Sequence, residues 1–331
     1  MEDALSAATS IGRLGEDAVL ARVLPRLAPG ESALLGAGDD AAVVAAADGR
    51  FVVTTDLMVH GPDFRLAWST PYELGWKAAA TNLTDVAAMG ARPTALTVAI
   101  AAPPELDVAV LEGIADGLRE ALACLAPGAG VVGGDLSVST VLTLAVTAFG
   151  DLEGRTPVLR SGARVGDVLA HAGTRGDAAR GLALLFGEAR DGSGEPDASL
   201  AAELRRREPE LLAAQLAPRP PVFAGVAAAA AGATAMLDVS DGLARDARRV
   251  AVASGVGLDF DAAALGADPR LALAGAEDHG LLATFPPGTA LPAPFERIGR
   301  VVDGHGRLTL DGEPVAALGW DPYSGWDGRA G

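Results

Sequence analysis

Thr70-Pro71-Tyr72-Glu73 begins a stretch that continues unbroken to Asn82-Leu83-Thr84-Asp85-Val86-Ala87-Ala88-Met89-Gly90-Ala91. A Thr cap, Pro at the first helical position and Glu three residues after the cap form a helix start. Each of them satisfies or removes a backbone N–H that the first turn leaves without a partner. Gly90 supplies the stop. The spacing predicts a helix from Thr70 to about Met89. Leu74, Ala78, Thr81 and Asp85 fall on one stripe of it, at i, i+4, i+7 and i+11. The stripe is apolar, so Asp85 is expected to point inward. A buried carboxylate needs a partner or loses its charge.

Outward from this helix, strands and helices alternate. Residues 16–27 read as a short amphipathic helix, 51–55 as a strand ending at Asp56, and 94–101 as a strand. A long helix is expected over 106–125, a strand end at 131–135 and a strand over 141–150. Gly154 and Pro157 mark a connector, which places a domain boundary near Gly150. Residues 1–150 and 151–331 are thus expected as two domains, in keeping with a length of 331. The second half reads as strands at 168–173, 235–239, 257–260 and 296–302, with helices at 177–188, 198–215 and 241–254. The class is α/β (α+β).

Composition narrows the partners. The net charge of −17 argues against nucleic acid and anionic membrane, both of which need a basic face. Cys124 is the single cysteine, so neither an internal disulfide nor a cysteine metal site is available, and a reducing compartment fits. Residues 1–15 lack a basic stretch followed by an apolar run, and the Ala-rich run at 222–237 ends at Asp238, short of the ~20 strongly apolar residues of a membrane span. A soluble, cytoplasmic protein is expected. Lys77 is the single lysine, and Glu73-Leu74-Gly75-Trp76-Lys77 is no Gly-rich phosphate loop. Any nucleotide must be bound without a P-loop.

Five stretches place an aspartate at or near the end of an apolar element beside glycine or a hydroxyl residue: Gly38-Asp39-Asp40, Thr54-Thr55-Asp56, Asn82-Leu83-Thr84-Asp85, Gly133-Gly134-Asp135 and Asp238-Val239-Ser240-Asp241-Gly242. One such stretch alone is usually a turn. Five of them, with few basic residues nearby, point to divalent cations as the partners. Mg²⁺ prefers hard oxygen ligands, keeps several waters and bridges carboxylates to phosphates. An acidic chain can hold a polyphosphate in this way. Gly133-Gly134 would let the backbone approach phosphate closely, and a helix starting near Asp241 would offer free N–H groups to an anion. A Ca²⁺-binding EF-hand is disfavoured, because it packs its ligands into one loop of 12 residues.

These motifs, in this order, resemble the thiamine-monophosphate kinase family. It belongs to a superfamily with aminoimidazole ribonucleotide synthetase, selenophosphate synthetase and a hydrogenase maturation protein. Gly36-Ala37-Gly38-Asp39-Asp40, Arg160-Ser161-Gly162-Ala163 and Glu277-Asp278 extend the match, which runs from about Gly12 to Trp326. The resemblance implies a two-domain aminoimidazole ribonucleotide synthetase-like fold, with the N-terminal sheet closing a barrel across a homodimer. It implies ATP as co-substrate, several Mg²⁺ ions and transfer of a phosphoryl group to thiamine monophosphate. Asp40, Thr54, Thr55, Asp56, Asp85, Asp135, Asp238 and Asp241 would hold the metal ions. Gly134, Asp135, Arg160 and Ser240 would contact ATP. Glu277 and a C-terminal aromatic, Trp326 or else Trp320, would contact the thiamine end.

The chain departs from the family where Asp63 replaces a usual substrate-contacting His, and where His279-Gly280 follows Glu277-Asp278 in place of an aromatic and a Glu. Asp63 is expected to take over part of that substrate role. No residue presents itself as a catalytic base, and a phosphate acceptor removes the need for one, since its oxygen is already anionic near neutral pH. Two other readings compete: another ATP-dependent synthetase of the superfamily acting on a different small phosphorylated substrate, and a non-catalytic cation-binding protein.

Overall fold

A computed structural model describes residues 10–28, 30–36 and 42–321. After two short helices at Ile11–Leu14 and Glu16–Val23, the N-terminal half builds a four-stranded sheet from β1 (Val52–Val59), β2 (Arg92–Ala102), β3 (Gly130–Val138) and β4 (Thr143–Asp151). Their order across the sheet is β1-β4-β2-β3. β2 and β3 run parallel and are joined through helix α2 (Val108–Leu125); the other neighbours are antiparallel. Helix α1 (Pro71–Ala88) and α2 cover one face, onto which β4 turns Leu144, Val146 and Ala148. The other face is open. Val53 and Leu57 are each more than half exposed there.

The C-terminal half carries β5 (Val168–Ala172), helices α3 (Asp177–Glu188), α4 (Ala198–Arg207), α5 (Pro209–Leu216) and α6 (Phe223–Ala230), then β6 (Ala235–Val239), α7 (Leu243–Ser254) and β7 (Gly257–Phe260). It ends with the short helix α8 (Pro269–Ala274) and strands β8 (Gly280–Phe285), β9 (Glu296–Val302), β10 (Leu308–Leu310) and β11 (Glu313–Pro314). The seven strands lie in the order β11-β10-β7-β9-β5-β8-β6. No helix among the described residues is long and apolar enough to cross a membrane.

Helix α1 starts with the full capping box: Thr70 Oγ1 accepts from the Glu73 N–H, and Glu73 accepts from the Thr70 N–H. It is buried on nearly every side, as a helix apolar all round must be. Leu83 and Val86 share one core with Leu281 and Phe285 of the second sheet, so α1 belongs to both halves. It lies against α2 at backbone distance: a Cβ on Gly75 would come 2.0 Å from the Ile114 carbonyl oxygen, and one on Gly117 2.0 Å from that of Tyr72.

Several elements differ from the expectation. β1 continues through Asp56 to Val59, and β3 continues through Asp135 to Val138, so both aspartates sit within strands rather than at their ends. Pairing with β4 and β2 carries the ladder past the polar residue. The helix expected over 198–215 breaks at Glu208, because Pro209 lacks the N–H to continue it. β8 escaped the reading. Every one of its residues is buried, so it shows none of the alternation that marks a half-exposed strand.

Gly117→Val should lower unfolding stability by roughly 1–3 kcal/mol or more in urea titration, since the helix pair has no room for the added carbons. Gly187→Ala, at a position with nothing within 4 Å, should be neutral or slightly stabilising and serves as the control.

Candidate active site

Three carboxylates from three elements converge where the halves meet. Thr54 and Asp56 alternate onto the same face of β1, and Thr54 Oγ1 donates to Asp85 Oδ2 of α1 at 2.9 Å. Asp238, near the end of β6, belongs to the same group. Burial raises the Asp85 carboxyl to about 8; the charges of Asp238 and Asp56 add to this, while Thr54 and Arg160 act against it. Burial likewise lifts Asp238 to about 6, with the Ser240 hydroxyl opposing and Asp56 and Asp241 reinforcing. Asp56 is raised by burial and by Asp241. Asp85, part-exposed on a helix that is otherwise largely buried, turns toward Thr54 of β1 rather than to open solvent.

The Ser240–Asp241 loop is pinned by a residue that sequence reasoning missed. Asp246, fully buried on α7, accepts from the Ser240 N–H at 3.1 Å and the Asp241 N–H at 2.9 Å. The N–H groups of Ser240 and Asp241 are thus taken, and the helix expected from Asp241 starts at Leu243. Arg249 bonds Asp246 and also reaches Asp241 Oδ2 at 2.5 Å. Burial pushes the Asp246 carboxyl up to about 7, with Asp238 adding and Arg249 opposing. The signal that could have flagged Asp246 is its place among Leu243, Ala247 and Val250 on the buried face.

Two expected ligands lie elsewhere. Thr55 faces the open side of the sheet, where its Oγ1 donates to the Val146 carbonyl and accepts from Thr147. Asp135 is exposed on that same side, bonded by Ser137 at 3.0 Å. Within one chain the sheet separates both from the Asp56 group, because strand neighbours alternate in face. Gly134 precedes Asp135 on β3. Asp40 and Trp326 lie outside the described residues. Among the described residues, no three acidic, His or Cys side chains enclose an ion by themselves.

Beside the carboxylates opens a cavity of about 150 Å³. Trp68, Phe186 and Trp320 contribute aromatic surface, and Asp63, Lys77, Gln215 and Glu277 contribute polar groups. Lys77 Nζ pairs with Glu277 Oε1 at 3.0 Å, while the Gln215 carboxamide donates to Oε2. Burial alone would raise the Glu277 carboxyl, but Lys77, His279 and Gln215 outweigh it and hold it below its ordinary value. Glu277 adopts φ 67°, a left-handed conformation that non-glycine residues seldom take. Its neighbour Asp278 turns the other way and accepts from Gly176 and Ala178 at the start of α3. Asp63 accepts from the Val59 N–H at 2.7 Å, and burial raises its carboxyl. Arg65 stacks 4.6 Å from the Trp68 ring and 4.7 Å from Phe186.

Trp320 is tied to the acidic loop by its backbone N–H, which donates to the Asp241 carbonyl at 2.8 Å. His279 is buried with neither ring nitrogen bonded among the described residues, and burial lowers it to about 4, so it is neutral at pH 7. Lys77 and Gln215 were not among the expected site residues. The single lysine, placed on the buried helix, was the available signal for the first; Gln215 gave none.

The sequence model of the family described as AIR synthase related protein, N-terminal domain, matches residues 38–152. Thiamine-monophosphate kinase of Mycobacterium tuberculosis (strain CDC 1551 / Oshkosh) is 45% identical over 332 residues, covering 96% of this chain and 92% of that protein. Thiamine-monophosphate kinase of Corynebacterium glutamicum is 40% identical over 343 residues, with 97% of each chain covered. The solved structure of AaThiL complexed with AMPPCP and TMP superposes with a TM-score of 0.72 at 30% identity, covering 93% of this chain and 96% of that one.

With metal chelated, folded Asp85 keeps its proton to about pH 8, whereas an unfolded aspartate releases it near pH 4. The folded chain then binds the extra proton between those limits, and stability falls as pH rises through them. Melting temperatures in chelator should therefore drop from pH 6 to pH 8. Asp85→Asn should flatten that slope, and a flat profile for the unmodified protein would contradict the burial of this group.

Proposed function

The chain belongs to the thiamine-monophosphate kinase family, and we infer that it transfers the γ-phosphoryl group of ATP to thiamine monophosphate, giving thiamine diphosphate. The observation that carries this reading is the convergence of Asp56, Asp85 and Asp238 beside an aromatic cavity holding the Lys77–Glu277 pair. The first group suits a polyphosphate with its cations, the second a flat heterocycle.

Mg²⁺ fits the donor set. Thr54, Asp56, Asp85, Asp238 and Asp241 offer hard oxygens only, and the raised carboxyls are short of positive charge. Mg²⁺ keeps several waters and shares phosphate oxygens, so it needs few protein ligands. Bound there, Mg²⁺ supplies charge neutralisation between two anionic reactants. Asp40 would complete the set, and Asp135, on the opposite face of the sheet, would join it only from a second copy of the chain.

The chain's own residues then do the positioning. Arg160, whose charge is felt at Asp85, suits bidentate contact with a triphosphate. Gly134 and Ser240 would line the nucleotide. Trp320, docked on Asp241, is the aromatic we assign to the cationic thiazolium, an attraction worth about 0.5–2 kcal/mol. Glu277 adds its negative charge. Asp63, bonded to the backbone and lining the cavity, would shape the mouth rather than bind phosphate. No base is required, because the acceptor oxygen is already anionic.

Residues 1–150 would bind ATP and metal and form the dimer, and 151–331 would complete the site as a second α/β domain. The open face of the N-terminal sheet, with Val53 and Leu57 exposed, supports closure of a barrel against a second copy. The net charge of −17 and single cysteine suit a cytoplasmic enzyme without nucleic-acid or membrane partners.

A coupled ADP-release assay should show turnover with thiamine monophosphate and none with unphosphorylated thiamine, whose hydroxyl needs a base. Turnover with an aminoimidazole precursor alone would instead favour another synthetase. Asp85→Asn should reduce kcat by roughly 100-fold or more while the protein stays folded. Sedimentation at micromolar concentration should give about twice the chain mass, and a fully active monomer would exclude the shared barrel.

A further inference from the structure

We propose that Gln215 reads the aminopyrimidine end of the substrate, its carboxamide oxygen accepting a hydrogen bond from the exocyclic amine. The proposal rests on the kinase reading for the identity of the heterocycle, and on the cavity alone for the placement of the acceptor.

Gln215 lies near the end of α5 and is only 4% exposed. Its two polar atoms differ in circumstance. The carboxamide nitrogen donates to Glu277 Oε2, while Oε1 is buried without any hydrogen-bond partner among the described residues. A buried carbonyl oxygen with no donor is unfavourable and uncommon in a folded protein. The two ends of an amide look alike, so the assignment must come from the neighbours. Here Glu277 decides it. Lys77 holds Glu277 ionised, an ionised carboxylate only accepts, and only the NH₂ end of Gln215 can face it. The oxygen is thereby the end of Gln215 left without a donor, on a side chain that lines the same cavity as Trp68, Phe186 and Trp320.

A cavity of this kind selects by chemistry. Its aromatic surface favours a flat ring, and its unsatisfied acceptor demands an N–H or O–H at the ring edge. A ring bearing oxygen in place of the amine would set two acceptors against each other. A site built to bond a polar group rejects an analogue lacking it far more strongly than an apolar pocket rejects one of the wrong size. Gln215 is thus a specificity-determining residue, and its contribution is to substrate binding rather than to the chemical step.

The test uses the full chain with Mg²⁺ and a non-hydrolysable ATP analogue, titrated calorimetrically with thiamine monophosphate and with the analogue carrying oxygen in place of the pyrimidine amine. The unmodified protein should bind the amine compound roughly tenfold or more tightly. In Gln215→Leu, and in the better volume match Gln215→Met, that preference should fall to within about twofold while nucleotide affinity is unchanged. In turnover, the variants should raise KM for thiamine monophosphate roughly tenfold and leave kcat within about twofold, the signature of lost ground-state binding. Equal binding of the two compounds by the unmodified protein overturns the proposal, as does a preference that survives in both variants. A binding preference that Gln215 controls, in a protein without turnover, supports the proposal and refutes the kinase reading instead.

Discussion

Mutual repulsion among Asp56, Asp85 and Asp238 is the constraint around which this structure is arranged. Like charges in a half-buried cleft cannot all ionise without compensation, and burial strengthens their interaction by lowering the local dielectric. The protein offers only partial relief. Thr54 gives Asp85 one hydrogen bond, Ser240 gives Asp238 another, and Arg160 acts on Asp85 by charge. Arg249 is committed to Asp241 and Asp246. The remaining negative charge favours cations from solution, so the folded site is incomplete in the sense that a binding site must be.

Helix α1 converts that electrostatic demand into geometry. It presents Lys77 to the cavity and Asp85 to the carboxylates, eight residues apart, or about 12 Å at 1.5 Å per residue. Both groups ride on one rigid element with a capped start and a core on every side. The close approach at Gly75 and Gly117 removes the slack between α1 and α2. An error in the seating of α1 would move the cation and the carboxylate together, preserving their spacing while shifting both against Asp238 and Glu277. The contacts that fix α1 against the second sheet therefore matter to the site as much as its polar residues do.

Much of this was legible in local signals. The cap and stop of α1, the inward direction of Asp85, and the ends of α3, β6, β7 and β9 follow from spacing and residue type, because each rests on a backbone requirement that neighbours in sequence satisfy. What was not legible depends on contacts between distant segments. The pleat puts Thr54 and Thr55 on opposite faces, but which of them meets Asp85 is set by the seating of α1 against β1. Asp135 belongs with the other aspartates by pattern but lies on the open face of the sheet. Gln215 acquires its meaning only from Glu277, 62 residues later. Trp320 is seated by a hydrogen bond to the Asp241 carbonyl, which no local pattern foretells.

Glu277 and Asp278 show how adjacent residues of one charge come to opposite uses. Asp278 is spent on the first turn of α3, where three donors hold it: the Thr174 hydroxyl and the N–H groups of Gly176 and Ala178. That anchorage leaves Glu277 little choice of direction. Its own N–H is taken by the Ser240 carbonyl and the His279 N–H by the Val239 carbonyl, so the segment runs beside the acidic loop with φ positive at both Glu277 and His279. Such conformations persist only where surrounding bonds over-determine them. The bonds here do so on both sides, and the result is a carboxylate aimed at Lys77 and Gln215 rather than at the Asp56, Asp85 and Asp238 group. The separation keeps the charge of Glu277 distinct from that of Asp56, Asp85 and Asp238.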